Sequence, residues 1–380
     1  MIRFISGVSP SLSIGAGRFI SQLEETFPVS YGGNKSAAGL AYTQRRPLKF
    51  AFAAALHYFR RAKLALEIKT NAFARTSDTL VIYHPQELGW ERALAIIVGS
   101  PRKVWLYVLD MSFFCVRSYN YIPGENGACF RCLGGKFENI ERMGCEPFPS
   151  KMDTPAATLE KLRGLAARDK VGFLLQGKSQ KTLLERHFGP GVTAKHVGLW
   201  TVDFEADLAD PSSGSASSDA DFDVVFHGPE LPAKGFQWTL EVAKLTPSLR
   251  YLFPMSLPEG IAPPSNCAFV PMRWESGLRE KVRTAKLTLV PSLWSAVIEG
   301  ALIKSICLAP RTGVIDIDGS YAQEIPADIL LKLPSSPADA AKRLTDALSN
   351  WQPDAEKLAR WKVDFVRFNR ALAPRLAQEL

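Results

Sequence analysis

Short apolar runs alternate with stretches of helical spacing along most of this chain. In the first half, 2–8, 79–83, 103–109, 171–175 and 194–199 read as strands, because they are compact runs rich in β-branched and aromatic residues. Segments 18–27, 86–98, 158–167 and 180–188 place apolar residues one helical turn apart and read as helices. After a break the alternation restarts, with strands at 223–226, 250–253, 287–290 and 305–309 and helices at 236–245 and 296–304. From Pro353 onward, Leu358, Trp361, Val366 and Leu372 mark one face of a long amphipathic helix, which Pro374 should kink or end. The longest apolar stretch, 104–116, contains Asp110 and is too short to span a bilayer, so it reads as a buried strand running into a loop.

Strand–helix alternation in both halves predicts an α/β protein with two mostly parallel sheets. The break is the segment 206–221, ADLADPSSGSASSDAD, whose Ser, Ala and Asp content marks a linker or flexible insertion. The expected organisation is a first domain over 1–205, the linker at 206–221, a second domain over 222–350 and a C-terminal helical segment, 351–380, packing back toward the first domain. Two such domains are expected to leave a cleft at the carboxyl ends of their strands, where ligands bind.

Composition is that of a globular chain: 46% hydrophobic and 22% charged residues exclude a disordered or fibrous protein. The net charge of +8 is unevenly spread. Between Arg45 and Arg75 eight basic residues face one acid, Glu67, so nearly all the excess lies in one stretch laced with Phe50, Phe52, Tyr58 and Phe59. A basic, aromatic helix suits an anionic membrane surface, through Arg60, Arg61 and Lys63; a core helix with a solvated basic face has the same composition. The opening MIRFISGVSPSLSIGAG reads as a strand and turn and not as a signal peptide, which predicts a cytoplasmic protein with reduced thiols, peripheral on the inner face of the plasma membrane.

Four loops that follow strands carry candidate chemistry. Ser13-Ile14-Gly15-Ala16-Gly17-Arg18 is a tight turn, or a loop whose backbone N–H groups and helix N-terminus approach a phosphate. His84 ends the strand TLVIY and Asp110 follows VWLYVL; each is a hydrogen-bonded structural group or an acid–base candidate. In FHGPELPAKGF, Lys234 and Gly235 open a helix, which would bring an ammonium beside a diphosphate; an exposed Lys in a Pro/Gly turn has the same spacing. In VPSLWSAVIEGALIKS, Ser292 ends a strand, Ser295 can N-cap the predicted helix, and Glu299 would lie a turn inside it, either accepting hydrogen bonds from ribose hydroxyls or simply facing solvent.

In this order the four loops resemble the GT-B glycosyltransferases, specifically the large retaining family four. That resemblance implies two Rossmann-like domains facing a central cleft, a donor-binding second domain, Lys234 on the nucleotide diphosphate and Glu299 on the ribose. Three positions depart from the family pattern. Pro229 stands where the family has an Arg, Leu109 where a His often precedes the Asp, and Ser295 where a sugar-contacting Glu follows SLW. Loss of that Glu leaves the donor sugar, and retention against inversion, open.

Cys115, Cys129, Cys132 and Cys145 include a CxxC in GACFRCLGG within the Cys-rich loop 113–146. Four thiolates suit a structural zinc ion, or an iron–sulfur cluster; alternatively they pack as small apolar residues. No catalytic metal is expected.

The resulting expectation is a glycosyltransferase that uses a UDP- or GDP-linked sugar and a cell-surface glycan or lipid-linked acceptor, as in polysaccharide biosynthesis. The donor would be held by Gly15, Gly17, Arg18, Lys234, Gly235, Ser292, Ser295 and Glu299, with Asp110 and His84 as catalytic groups. Two alternatives are a non-catalytic nucleotide or sugar binder of the same fold, and a nucleic-acid binder built on the four cysteines. The few scattered basic residues of the Cys loop argue against the second.

Overall fold

The computed structural model describes residues 1–10, 15–31, 47–70, 72–148, 152–208 and 221–380. These form two compact units. The first comprises Met1–Ser118, Phe130–Thr201 and Asn369–Leu380, and the second comprises Tyr119–Cys129 and Val202–Phe368.

The first unit is built on six parallel strands: β1 (Ile2–Ser6), β2 (Val29–Tyr31), β3 (Thr79–Tyr83), β4 (Val104–Tyr107), β5 (Val171–Leu175) and β6 (Ala194–His196), in the order β2-β1-β3-β4-β5-β6. β4 and β5 are buried at every position, as expected of strands covered on both faces. Helix Gly15–Leu23 buries Phe19, Ile20 and Leu23 against Phe4, Val81, Tyr83 and Tyr107. The last elements of the chain complete this core, through Leu372 and Leu376.

The second unit repeats the plan with β7 (Val224–Phe226), β8 (Tyr251–Phe253), β9 (Cys267–Phe269), β10 (Leu287–Leu289), β11 (Thr312–Ile315) and β12 (Leu331–Leu333), ordered β12-β11-β10-β7-β8-β9 and parallel throughout. Phe226, Phe236, Phe253 and Phe269 interlock on this sheet, with Phe253 and Phe269 stacked at 4.8 Å.

Several elements differ from the sequence expectation. The 296–304 helix begins four residues later, at Gly300, and runs to Leu308. The expected strand at 305–309 is therefore mostly the second half of that helix, and the strand is Thr312–Ile315. The reason is that Leu293, Trp294, Ala296, Val297 and Ile298 form a buried apolar run that is not helical, so hydrophobicity alone does not mark the helix start. The C-terminal helix is two helices, Ala355–Arg370 and Leu372–Glu379. Pro374 lies in the first turn of the second, where its missing N–H costs nothing. Most of the expected linker, 209–220, lies outside the described residues.

Candidate functional site

In the second unit the chain leaves β7 toward β8 and β9, then returns to β10 on the other flank of β7. The loops after β7 and β10 thus run in opposite directions from neighbouring strand ends, which opens a crevice of the kind where α/β sheets bind ligands. Of the candidate donor residues, Lys234, Gly235, Ser292, Ser295 and Glu299 sit on these two loops.

After β7, a short turn Pro232–Lys234 leads through Gly235 into helix Phe236–Leu245. Gly235 has φ +76°, and a Cβ there would lie 2.0 Å from the Pro291 carbonyl oxygen, so glycine is required both by conformation and by space. That close approach ties the Lys234 loop to the segment after β10. Lys234 Nζ donates to Glu299 Oε1, and Ser292 Oγ donates to the same oxygen at 3.0 Å. The pair is largely withdrawn from water, with 14% of the Lys234 and 11% of the Glu299 side chain exposed. Two touching rings face the ammonium: Trp294 at 4.7 Å and Tyr119 at 5.2 Å from ring centre.

Glu299 is the N-cap of helix Gly300–Leu308, with extended φ/ψ, and not a residue inside it. The carboxylate therefore stands beside the helix N-terminus, where unpaired N–H groups and the helix dipole favour negative charge. Ser295 does not cap this helix. It is fully buried; its N–H donates to Asn120 Oδ1 at 3.0 Å and its hydroxyl to the Asp318 carbonyl at 2.7 Å.

Next to this group, His227 at the end of β7 bonds Ser305 Oγ through Nδ1 at 2.9 Å and stacks on Trp274 at 5.1 Å. Burial, helped by the nearby Lys304 ammonium, brings its imidazole down to a pKa of about 3, so it is neutral at ordinary pH.

In the first unit the carboxyl edge of the sheet carries the other candidates. His84 follows β3 and adopts φ 57°, ψ 64°, a left-handed conformation that costs a non-glycine residue energy and often marks a functional position. Its Nδ1 is buried and has no hydrogen-bond partner among the described residues. Gly7, after β1, allows this turn: a Cβ there would lie 2.2 Å from Leu88 N and 2.6 Å from His84 O.

Asp110 is buried, and Gln86 Nε2 donates to both its oxygens at 2.7 Å while Ser112 N donates at 2.9 Å. Burial raises the Asp110 pKa, against the pull of His84 and the bonds from Ser112 and Gln86. Helix Gly15–Leu23 is tied to the same edge, since Tyr83 OH donates to Ala16 O at 3.3 Å. Gly15 is exposed, Gly17 is buried and Arg18 is partly buried; Ser13 and Ile14 lie outside the described residues.

The structure thus joins Lys234, Gly235, Ser292 and Glu299 into one group in the second unit, and His84 with Asp110 into another in the first. Sequence reading passed over Gln86, Tyr119, Asn120 and Trp294. The Gln directly after His84-Pro85 was a usable signal for the first; nothing local marks Tyr119 and Asn120, which reach their site through distant contacts.

Among the described residues no group of three or more His, Cys, Asp or Glu is arranged to hold a metal ion. Cys132 and Cys145 instead pack, partly buried, against Val116, Phe137, Ile140 and Leu159. The basic stretch forms helix Pro47–Lys69, with Arg60 and Lys63 exposed; the side chain of Arg61 lies outside the described residues. Among the described residues no helix is long and apolar enough to cross a membrane.

No family model matches the chain, and no curated protein does. Solved structures do. HepE of Anabaena, crystallised with UDP, is 11% identical with TM-score 0.59, covering 100% of this chain and 99% of its own. Sucrose-phosphate synthase of Thermosynechococcus elongatus is 12% identical with TM-score 0.57, covering 100% and 98%. A UDP-forming trehalose-phosphate synthase of Burkholderia xenovorans is 9% identical with TM-score 0.52, covering 98% and 95%. The match runs the length of all three chains, and the fold of this protein is GT-B.

Proposed function

We propose that this protein is a glycosyltransferase that moves a sugar from a UDP-sugar, with retention of configuration, to a glycan or lipid-linked acceptor. The observation that carries this reading is the hydrogen-bonded, partly buried Lys234–Glu299–Ser292 group at the strand-order switch of the second unit. Further support comes from the fold, shared with proteins crystallised with UDP and UDP-glucose and with a trehalose-6-phosphate synthase studied for transfer with retention.

The chemistry follows from charge. As the bond between sugar C1 and the β-phosphate oxygen breaks, the electron pair stays on the diphosphate, the acceptor hydroxyl oxygen bonds C1 on the same face, and its proton passes to the departing diphosphate oxygen. The Lys234 ammonium and the N-terminus of helix Gly300–Leu308 meet that charge where it develops. Glu299 accepts from the ribose hydroxyls. Without donor, the ammonium and carboxylate satisfy each other; donor entry exchanges that bond for one from each to the nucleotide. His84 and Asp110 face the acceptor and the reaction centre, and Asp110, whose pKa is raised, is the residue suited to hold and pass a proton if the enzyme inverts instead.

The acceptor side is read as membrane-associated. Tyr58, Phe59 and Leu66 of helix Pro47–Lys69 are 68%, 67% and 60% exposed, beside exposed Arg60, Lys63 and Lys69. Apolar side chains left in solvent among cations fit an anionic lipid surface.

A melting-temperature screen with UDP, GDP and their sugars tests the donor reading, because a bound ligand raises the melting temperature by mass action. UDP should raise it in the wild type and fail to do so in Lys234→Ala and Glu299→Ala. Donor cleavage by Lys234→Ala should fall by roughly 10²-fold or more. Unchanged UDP binding in both variants would remove the assignment.

A further inference from the structure

Residues Tyr119–Cys129 lie in the chain between Ser118 and Phe130, both of the first unit, yet belong to the second. They form a closed arm. Cys129 N donates to Asn120 O at 2.6 Å, Asn120 Nδ2 donates back to Cys129 O at 3.2 Å, and Tyr121 pairs with Ala128. Asn120 has no solvent exposure, and its side-chain amide is fully used: the second Nδ2 proton goes to Ser295 Oγ at 3.1 Å and Oδ1 accepts from Ser295 N at 3.0 Å.

This clasp holds the residue next to Trp294. Tyr119 and Trp294 meet at 4.5 Å between ring centres, and both lie over the Lys234 ammonium. The Trp294 indole N–H is buried with no hydrogen-bond partner among the described residues, so that ring is kept in place by packing and by the cation. Ser295, at the position where a sugar-contacting Glu was expected, is spent on holding the arm.

We propose that the arm Tyr119–Cys129 is a positioning element for Lys234: Asn120 fixes Ser295 and thereby Trp294, and the two rings confine the ammonium. The proposal rests on the donor reading only for its consequence in catalysis. The confinement itself can be measured without a donor. A lysine held by a carboxylate against two rings loses little conformational entropy on meeting a diphosphate and sits where the leaving-group charge forms.

The test is acetylation of Lys234 in the full chain, followed by peptide mass spectrometry, with and without UDP. Wild type should label slowly. Tyr119→Leu and Asn120→Asp, which remove a ring and both amide donors, should label about fivefold faster or more, matching loss of roughly one cation–π contact. Tyr119→Phe should keep the wild-type rate, and exposed Lys342 should label alike in all variants. In donor cleavage Tyr119→Leu should lower kcat about tenfold with KM within about twofold, and Tyr119→Phe should restore it.

Equal Lys234 labelling in Tyr119→Leu and wild type overturns the proposal. Should Asn120→Asp fail to fold, the Tyr119 pair decides alone. If UDP does not slow Lys234 labelling in wild type, the donor reading fails, and the confinement stands or falls on the Tyr119 comparison.

Discussion

At the scale of single residues, the candidate site depends on close backbone approach as much as on charged side chains. Gly235 carries two demands that can be separated. Its φ of +76° costs any side chain, and the 2.0 Å distance to the Pro291 oxygen excludes a Cβ outright. Gly260 has nearly the same φ, +77°, with nothing within 4 Å, and so isolates the conformational part. Gly260→Ala should cost about 1–2 kcal/mol, the usual penalty for the left-handed region. Gly235→Ala should cost about 3 kcal/mol or more, because the loop after β10 must move as well. Thermal melting of the two variants gives the comparison, and similar losses would show that Pro291 moves freely. Lys234 sits next to this glycine, so Gly235→Ala should also weaken UDP binding while Gly260→Ala leaves it alone.

At the scale of elements, the last two helices divide their allegiance. Ala355–Arg370 lies almost wholly in the second unit, whereas Asn369–Leu380 belongs to the first. Leu372 and Leu376 are buried in the first unit's core. Arg375 donates to Val197 O at 2.7 Å, and Asn369 Oδ1 accepts from Leu199 N at 2.9 Å. Burial of two leucines contributes about 3–6 kcal/mol before entropy is counted. Ending the chain after Phe368 should therefore lower the stability of the first unit by several kcal/mol and spare the second. Limited proteolysis with fragment mapping reads this directly: cleavage should move into 1–201, and equal protection of both units would refute it.

How far these elements could be read from sequence depended on their length and isolation. Helix Phe236–Leu245 matches its expected bounds because Gly235 marks its start and its apolar spacing is clear. β2, β9 and β12 are three-residue strands at sheet edges that no sequence signal marked, whereas the equally short β7, β8 and β10 lie inside their sheet and are buried at every position, so their apolar runs could be read. Lys234 and Glu299 were legible as a loop lysine and a carboxylate in apolar sequence. Their partners Tyr119 and Asn120 were not, because a contact across 175 positions, as between Asn120 and Ser295, leaves no local pattern.

At the scale of the whole molecule, the charge of +8 acts through its distribution. Seven of these charges fall between Arg45 and Arg75, the stretch that contains helix Pro47–Lys69. Arg60 also donates to Tyr31 OH and lies 4.6 Å over that ring, so part of its charge is engaged within the first unit. Exposed Lys63 and Lys69 flank exposed Phe59 and Leu66. Each cation near an anionic bilayer contributes about 1 kcal/mol, and the effect decays within a Debye length. Neutralising Arg60, Arg61 and Lys63 together should lower partitioning onto anionic phosphatidylglycerol-containing vesicles roughly 100-fold, with little change on neutral phosphatidylcholine. Raising salt should reproduce the loss in wild type, while Phe59→Ala should weaken binding to both lipids. UDP should still raise the melting temperature of the triple variant, since none of these residues belongs to the Lys234–Glu299–Ser292 group proposed to hold the donor. Vesicle binding that ignores both the substitutions and the salt would mean that the basic stretch is a solvated helix face and that the acceptor is recognised by other means.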